Sequence, residues 1–363
     1  MIQRILIVGA GVIARNHAAA TRLLPHVPQL AAADPNPATR ASFASEFPEA
    51  SVYADAAEML AAPRTGDEVV VVATPPWLHR QYALAAFATG RHVLCEKPLG
   101  INVAESDEIL AAARAHRLHF ACCSVRYLGR PILAEVKRRI SSGVLGSPLH
   151  VKWQARLTGA RPGIEYQPGS RWFLDRSLAG GGCVLDWGPY DVLTWNAVFD
   201  PAAVVVENAW ISPLQRGPEL PAGVTCDVEH HACAALTLVT AKGERIRVDY
   251  ERSAACFGGR SELYQIEGPR GAINWDWLEW QGNTLRVFAD SAGVDAQEIV
   301  QIPDDPRETS LHRPVLRFVA FLEGREADLI RDEQAWFNFR ILCAIYASAE
   351  SGQPQTVVKP ARP

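Results

Sequence analysis

The chain opens on an apolar strand-like run, residues 2–8 (IQRILIV). It breaks at Gly9-Ala10-Gly11-Val12-Ile13-Ala14 and passes directly into an alanine-rich helical stretch over residues 13–24. Strand, G-x-G-x-x-A turn and helix in that order leave few folds open. The first glycine permits a tight turn, the second lets backbone approach a pyrophosphate, and the small Ala14 lets helix and strand pack closely. The helix then directs its first N–H groups at the phosphates. Asp34 follows 20 residues after Ala14, at the end of a short strand over residues 29–33. A carboxylate there accepts hydrogen bonds from the adenosine ribose hydroxyls and repels a 2′-phosphate. The reading is therefore NAD, bound by Gly9, Gly11, Val12, Ile13, Ala14 and Asp34. Arg40, a few residues on, leaves NADP open.

The alternation continues. Strands are predicted at 68–73, 92–95 and 118–124, with helices at 77–89 and 103–116 between them; Asn102 and Glu105 suit the start of the second helix. Such alternation implies a doubly wound parallel sheet. After residue 124 the pattern changes to a helix near 131–142, a strand over 149–155 and a Gly/Pro-rich loop over 158–170. Strands then dominate residues 204–302, and two helices follow, near 315–322 and 333–349. The predicted fold class is α/β: a Rossmann domain over 1–124, then an α+β domain over 125–363 with a large, open, mostly antiparallel sheet. A chain of 363 residues, 48% hydrophobic, has the material for two such cores. The net charge of −4, without like-charge runs, argues against nucleic acid and anionic membrane as partners. No apolar run is long enough to span a bilayer. The opening reads as a strand and not as a signal peptide, which predicts a cytoplasmic protein. The eight cysteines contain no C-x-x-C pair and read as free thiols.

Two further motifs stand out. Cys95-Glu96-Lys97-Pro98 ends a strand, where ligands of such sheets collect. Gly180-Gly181-Gly182-Cys183-Val184-Leu185-Asp186-Trp187-Gly188-Pro189-Tyr190 opens a helix. With GAGVIA, ATPPWLH at 73–79, GRHVLCEKPL at 90–99 and the tail EQAWFNFRILCAIYASAESGQP, these motifs give a chain that resembles the glucose–fructose oxidoreductase/inositol dehydrogenase (Gfo/Idh/MocA) family nearly end to end. The resemblance implies a nicotinamide at the cleft between a Rossmann domain and a C-terminal sheet domain, and a sugar, cyclitol or related polyol as substrate. It places catalytic roles on Lys97 and Asp186, and the acid/base position on Tyr190. Many members carry histidine at that last position; tyrosine is found in the glucose–fructose oxidoreductase-like branch. The resemblance further implies that Thr74, Pro75 and His79 line the cofactor, that Glu96 touches the nicotinamide ribose, and that Arg126 approaches nicotinamide or substrate. Trp172 matches a family Trp-Arg pair in which Phe173 replaces the arginine.

The chemistry also follows from the residues. Oxidising an alcohol removes the O–H proton as hydride leaves carbon. A tyrosine, with an ordinary pKa of about 10, is a poor base at neutral pH unaided. A lysine ammonium beside it favours the phenolate and stabilises a developing alkoxide. Asp186 and Tyr190, four residues apart, share one side of a helix and put the aspartate in position to orient a hydroxyl or the lysine. Which of Lys97 and Tyr190 is the immediate base is open at this point. Arg156 and Arg161, at the 158–170 loop, are candidates for binding a carboxylate or phosphate on the substrate.

Glu229-His230-His231 invites a metal reading, but neighbouring strand residues point to opposite faces, so no metal site is predicted. The alternating tryptophans of Asn274-Trp275-Asp276-Trp277-Leu278-Glu279-Trp280 suggest a packed sheet face, covered by another subunit of a homo-oligomer (dimer or tetramer). Two other functions compete with a dehydrogenase/reductase: a redox-neutral NAD-using glycosidase, and a non-enzymatic nicotinamide sensor.

Overall fold

A computed structural model of the chain describes every residue except 159–167, 214–221, 257, 292–293, 307, 326 and 362–363. Arg161 therefore lies outside the described residues. By their contacts the residues group into two compact units, Met1–Arg126 with Arg307–Phe339, and Tyr127–Pro306 with Arg340–Pro363.

The first unit is built on six strands: β1 (Ile2–Val8), β2 (Gln29–Ala33), β3 (Ser51–Tyr53), β4 (Asp67–Val72), β5 (His92–Cys95) and β6 (Phe120–Cys122). They pair in the order β3-β2-β1-β4-β5-β6, all parallel. Valine and isoleucine runs suit such strands because both faces are covered. Val69–Val72 are at most 1% exposed. The intervening helices are α1 (Val12–Thr21), α2 (Pro37–Glu46), α3 (Ala56–Ala61), α4 (His79–Ala88) and α5 (Val103–His116). α2, β3 and α3 were not anticipated from the sequence, although Asn36, which accepts from the Ala38 and Thr39 N–H groups ahead of Pro37, is a legible helix start. At α5, Asn102 caps the Glu105 N–H as anticipated, while the Glu105 side chain turns back to the Ile101 N–H.

A late segment completes this unit. Val315, Phe318 and Val319 join the core of Ile5, Ala14 and Ala18. Arg331 bridges to Ala121 beside β6, and the Asp332 carboxylate accepts from the Phe120 N–H and meets His119.

The second unit holds nine strands in the order β14-β13-β12-β11-β7-β10-β9-β8-β15. They are β7 (His150–Arg156), β8 (Ala203–Pro213), β9 (Glu229–Val239), β10 (Arg245–Ser253), β11 (Ser261–Gly268), β12 (Gly271–Trp275), β13 (Thr284–Ser291), β14 (Val294–Gln301) and β15 (Gln355–Val358). Among the described residues of this sheet, only β7 and β10 pair in parallel. The α/β plus mostly antiparallel α+β fold class holds. One sheet face buries Trp153, Tyr250 and Tyr264 against Trp195, which lies on the helix Cys183–Phe199. Trp275 and Trp277 belong to the same internal cluster, each packing on Trp153. This corrects the expectation of a tryptophan face left for a partner: within that run only Trp280, at 60% exposed, stands out.

No helix among the described residues is long and apolar enough to cross a membrane. The eight cysteines form no disulfide; Cys95, Cys122, Cys123 and Cys183 are buried and the rest are partly buried.

Candidate functional site

Four segments end neighbouring strands of the parallel sheet on one side: Gly9 after β1, Asp34 after β2, Ala73-Thr74 after β4 and Glu96-Lys97 after β5. β1 and β4 flank the point where strand order reverses, the place where open α/β sheets take their ligands.

The glycine turn fits a dinucleotide. Gly9 has φ +93°, and a Cβ there would lie 2.7 Å from the Ala73 carbonyl oxygen. Gly11 is the N-cap of α1 in extended conformation, with no side chain capping the helix, and a Cβ there would meet nothing within 4 Å. The uncapped N–H groups and the open space suit a phosphate. Ala14 is fully buried, as the small third position requires. Val12 is exposed and Ile13 half-buried in the first turn of α1.

Asp34 is tethered where the ribose reading needs it. Oδ2 accepts from the Ala10 N–H at 2.9 Å and Oδ1 from the Asn36 N–H at 2.8 Å. Each carboxylate oxygen keeps capacity for a further donor. Asn36, and not Asp34, caps the following helix. Arg40 donates to the Asp34 and Pro35 carbonyls at 2.7 and 2.9 Å, so its guanidinium is held in this same turn.

Thr74 and His79 form a clamp. His79 is fully buried, with Nε2 2.8 Å from the Thr74 carbonyl oxygen and Nδ1 2.8 Å from that of Pro98. Burial pushes its pKa down, against the pull of the two carbonyl bonds. A neutral ring donates to only one of them at a time. The clamp ties the turn after β4, with Pro75 at its N-cap, to the residue that follows Lys97. The Thr74 hydroxyl is buried without a hydrogen-bond partner among the described residues. This hydroxyl keeps capacity for one more partner, a water or a ligand group.

Glu96 does not lie open to a ribose. It is 4% exposed, and Oε1 meets His17 Nε2 at 2.8 Å and accepts from Arg126, while Oε2 accepts from the Lys97 N–H at 3.1 Å. Burial works against its ionisation, but the Arg126 charge and the His17 bond outweigh burial and hold its pKa well below the usual range. His17 had not been singled out from the sequence. Its place in the second turn of the helix after the glycine turn, on the buried face, was the available signal. The arrangement fixes the backbone that carries Lys97, which is itself half-buried.

In the second unit, α6 (Pro131–Ser141) and the short α7 (Arg176–Ala179) precede α8 (Cys183–Phe199). Asp186 and Tyr190 are 7% and 3% exposed on α8, one turn apart. Tyr190 packs edge-on against Tyr127 and Trp187. Asp186 lines a cavity with Trp187, Phe173, His230 and Arg252. Trp172 stacks on Phe173 at 3.9 Å. The glycine triplet makes close packing possible: a Cβ on Gly182 would lie 1.9 Å from the Glu229 carbonyl oxygen, and one on Gly181 2.1 Å from the Tyr346 hydroxyl. The buried Glu229 carboxylate accepts from the Gly182 and Val184 N–H groups and the Tyr346 hydroxyl, capping α8 from a distant strand.

Asp191 is a residue that sequence reasoning missed. It is fully buried and accepts from Arg252, from Trp153 Nε1 at 2.7 Å and from the Tyr250 hydroxyl at 3.0 Å. Burial pushes its carboxyl upward, against the Arg252 guanidinium. Arg252 is thus already neutralised where it lines the cavity. Arg156 is a correction: it ends β7 and is not part of the loop, lies on the sheet face opposite Trp153, and pairs with Glu251 at 3.4 Å. Lys97 and Arg126 belong to the first unit, Asp186, Tyr190, Trp172 and Arg156 to the second.

Residues 3–122 match the oxidoreductase family with an NAD-binding Rossmann fold, and residues 133–274 match the GFO/IDH/MocA C-terminal domain. The chain belongs to the Gfo/Idh/MocA oxidoreductases. It is a nicotinamide-dependent enzyme of the dehydrogenase/reductase kind, with an NAD-binding Rossmann fold. Over 96% of each chain it is 25% identical to D-glucoside 3-dehydrogenase of Escherichia coli. It is 32% identical to inositol 2-dehydrogenase of Acidothermus cellulolyticus over 40% of this chain and 42% of that protein. Among solved structures, levoglucosan dehydrogenase in complex with NADH and L-sorbose shares the fold, with a TM-score of 0.78 at 23% identity over 98% of this chain and 99% of that one.

Proposed function

We propose that the enzyme oxidises or reduces one carbon of a sugar, cyclitol or related polyol or keto-sugar, with NAD held by Gly9, Gly11, Val12, Ile13, Ala14, Asp34, Thr74, Pro75 and the Glu96-Lys97 strand end. Residues 1–124 carry the cofactor in this reading, and residues 125–363 the substrate. The bound nicotinamide supplies one thing, a C4 position that accepts or returns hydride. The protein supplies the rest. Lys97 and Tyr190 share the hydroxyl proton, and Asp186 orients the hydroxyl or the lysine. Arg126 holds the Glu96 carboxylate, and through it the Lys97 backbone, instead of reaching the substrate. The observation that carries the reading is the buried pair Asp186 and Tyr190, one turn apart on the same side of α8, with the Trp187 ring packed edge-on against Tyr190.

The test is absorbance at the reduced-nicotinamide band during a screen of aldoses, inositols and keto-sugars with both cofactors. Net formation or consumption of reduced cofactor with a member of this panel is expected. Binding of NADH with turnover of none would overturn the proposal, and sugar release without net NADH would point to the glycosidase. In the same assay, Asp34→Ala should weaken NAD about tenfold or more, as expected for lost charge-assisted bonds, and NADP less. Equal loss for both would undo the ribose assignment.

We also propose a homo-oligomer, dimer or tetramer, through the open face of the second sheet. That face carries the exposed Trp210, Phe288 and Ile299. A sedimentation run showing only monomer at micromolar concentration would remove it.

A further inference from the structure

The face of the second sheet opposite α8 carries a set of donors that the oxidoreductase chemistry does not use. His231 and Cys233 are two residues apart on β9 and so share a face. Glu251 on β10 is the direct cross-strand partner of Cys233. Their ligand atoms all lie within 4.8 Å of one another. His231 Nε2 is 2.8 Å from Glu251 Oε1 and 3.8 Å from Cys233 Sγ. All three side chains are partly exposed, and Cys233 and Glu251 line a shallow depression with Trp210 and Gln154. We propose that His231 Nε2, Cys233 Sγ and Glu251 Oε1 form a divalent-metal site of the zinc class, with water in the fourth position.

The sulfur–nitrogen distance suits that class, and the sulfur–oxygen pair lies within 4.8 Å. Zinc bonds of about 2.0–2.3 Å in a tetrahedron place ligand atoms roughly 3.3–3.8 Å apart. The sulfur–nitrogen pair is already at that spacing, and the nitrogen–oxygen pair opens by about half an ångström, a side-chain adjustment, when a metal replaces the shared proton. One imidazole, one thiolate and one carboxylate are borderline donors, which select zinc, cobalt or nickel over magnesium and calcium. Gln154 Nε2 donates to Glu251 Oε2 at 2.7 Å and holds the carboxylate in place, as outer partners of metal ligands do. Arg156, 3.4 Å from Glu251, opposes a cation, but its side chain is 37% exposed and has solvent to move into. His230 and His231, neighbours on β9, face apart. The same period-two rule that separates them puts His231 with Cys233.

The test is titration of tag-free, chelator-stripped protein with Co²⁺. A thiolate-to-cobalt charge-transfer band should appear with a single equivalent and survive excess Mg²⁺. Emission from Trp210, whose ring packs edge-on at 5.5 Å from His231, should be quenched in parallel. Cys233→Ser should abolish the band, and Cys226→Ser should retain it. His231→Ala and Glu251→Gln should each weaken affinity by more than about tenfold, since even an outer-shell change costs that much. A thermal transition and far-ultraviolet circular dichroism matching the native protein's report that each variant is folded. Absence of the band in the native protein overturns the site. So does a band that persists in Cys233→Ser, or affinity unchanged in both His231→Ala and Glu251→Gln.

Discussion

Lys97→Ala should lower turnover about 10²- to 10⁴-fold, the usual worth of a positioned acid/base group, while NADH binds as before. Tyr190→Phe should do the same. It is the cleaner variant, because phenylalanine keeps the ring between Tyr127 and Trp187 and removes only the hydroxyl. The two substitutions should be far from additive, because residues that act on one proton act as a unit. Lys97→Arg separates the two candidate bases. Arginine keeps the charge that favours a phenolate, but it does not deprotonate in the working range. If Tyr190 is the base, Lys97→Arg retains measurable turnover with a shifted pH–rate limb. If Lys97 is the base, Lys97→Arg is as slow as Lys97→Ala. Stopped-flow at the reduced-nicotinamide band, beside NADH fluorescence titration, measures both quantities. Near-native turnover in both Lys97→Ala and Tyr190→Phe would reject the assignment.

The legible parts of this site are those fixed by neighbouring residues in the chain. Gly9, Gly11 and Asp34 could be read because a strand end, a turn and a second strand end place them without reference to distant residues. Asp186 and Tyr190 could be paired because helical spacing alone does it. What was not legible depends on pairings distant in sequence. Asp332 reaches the Phe120 N–H across 212 positions, so the return of Arg307–Phe339 to the first unit leaves no local trace. Glu229 caps α8 from 47 positions away. Read beside His230 and His231 it invited a metal, and its actual partners are backbone N–H groups. Arg156 was assigned to a loop because glycine and proline begin soon after it, yet the alternation of β7 carries through it and turns its side chain to the outer face. His17 follows the same pattern: its helix was predicted, but its partner Glu96 sits 79 positions on.

Asp191→Ala should be the most damaging single change to the second unit. It would leave the Arg252 guanidinium buried with its counter-ion gone, and would strand Trp153 Nε1 and the Tyr250 hydroxyl as well. Breaking one side of a buried pair costs about 3–5 kcal/mol. For a chain of this size, that is a fall of roughly 4–7 °C in Tm. Arg252 also stacks its charge over Trp187 and Trp277 at 5.4 and 5.8 Å, so it has aromatic faces to rest on but, among the described residues, no second carboxylate paired with it. The loss is therefore one of uncompensated charge more than of the pair's own attraction, and the two causes separate experimentally. Asp191→Leu combined with Arg252→Met removes both charges at similar volume and should recover most of the stability, because well-packed apolar replacements of buried ion pairs are often neutral. Thermal denaturation of the full chain, with NADH binding as a check on the first unit, gives the comparison. A single variant within about 2 °C of the native protein would show that the network carries little stability. A double variant that falls as far as the single would show that the carboxylate and guanidinium hold the strands β7 and β10 against α8 by their hydrogen-bond geometry, and that charge balance is the lesser effect.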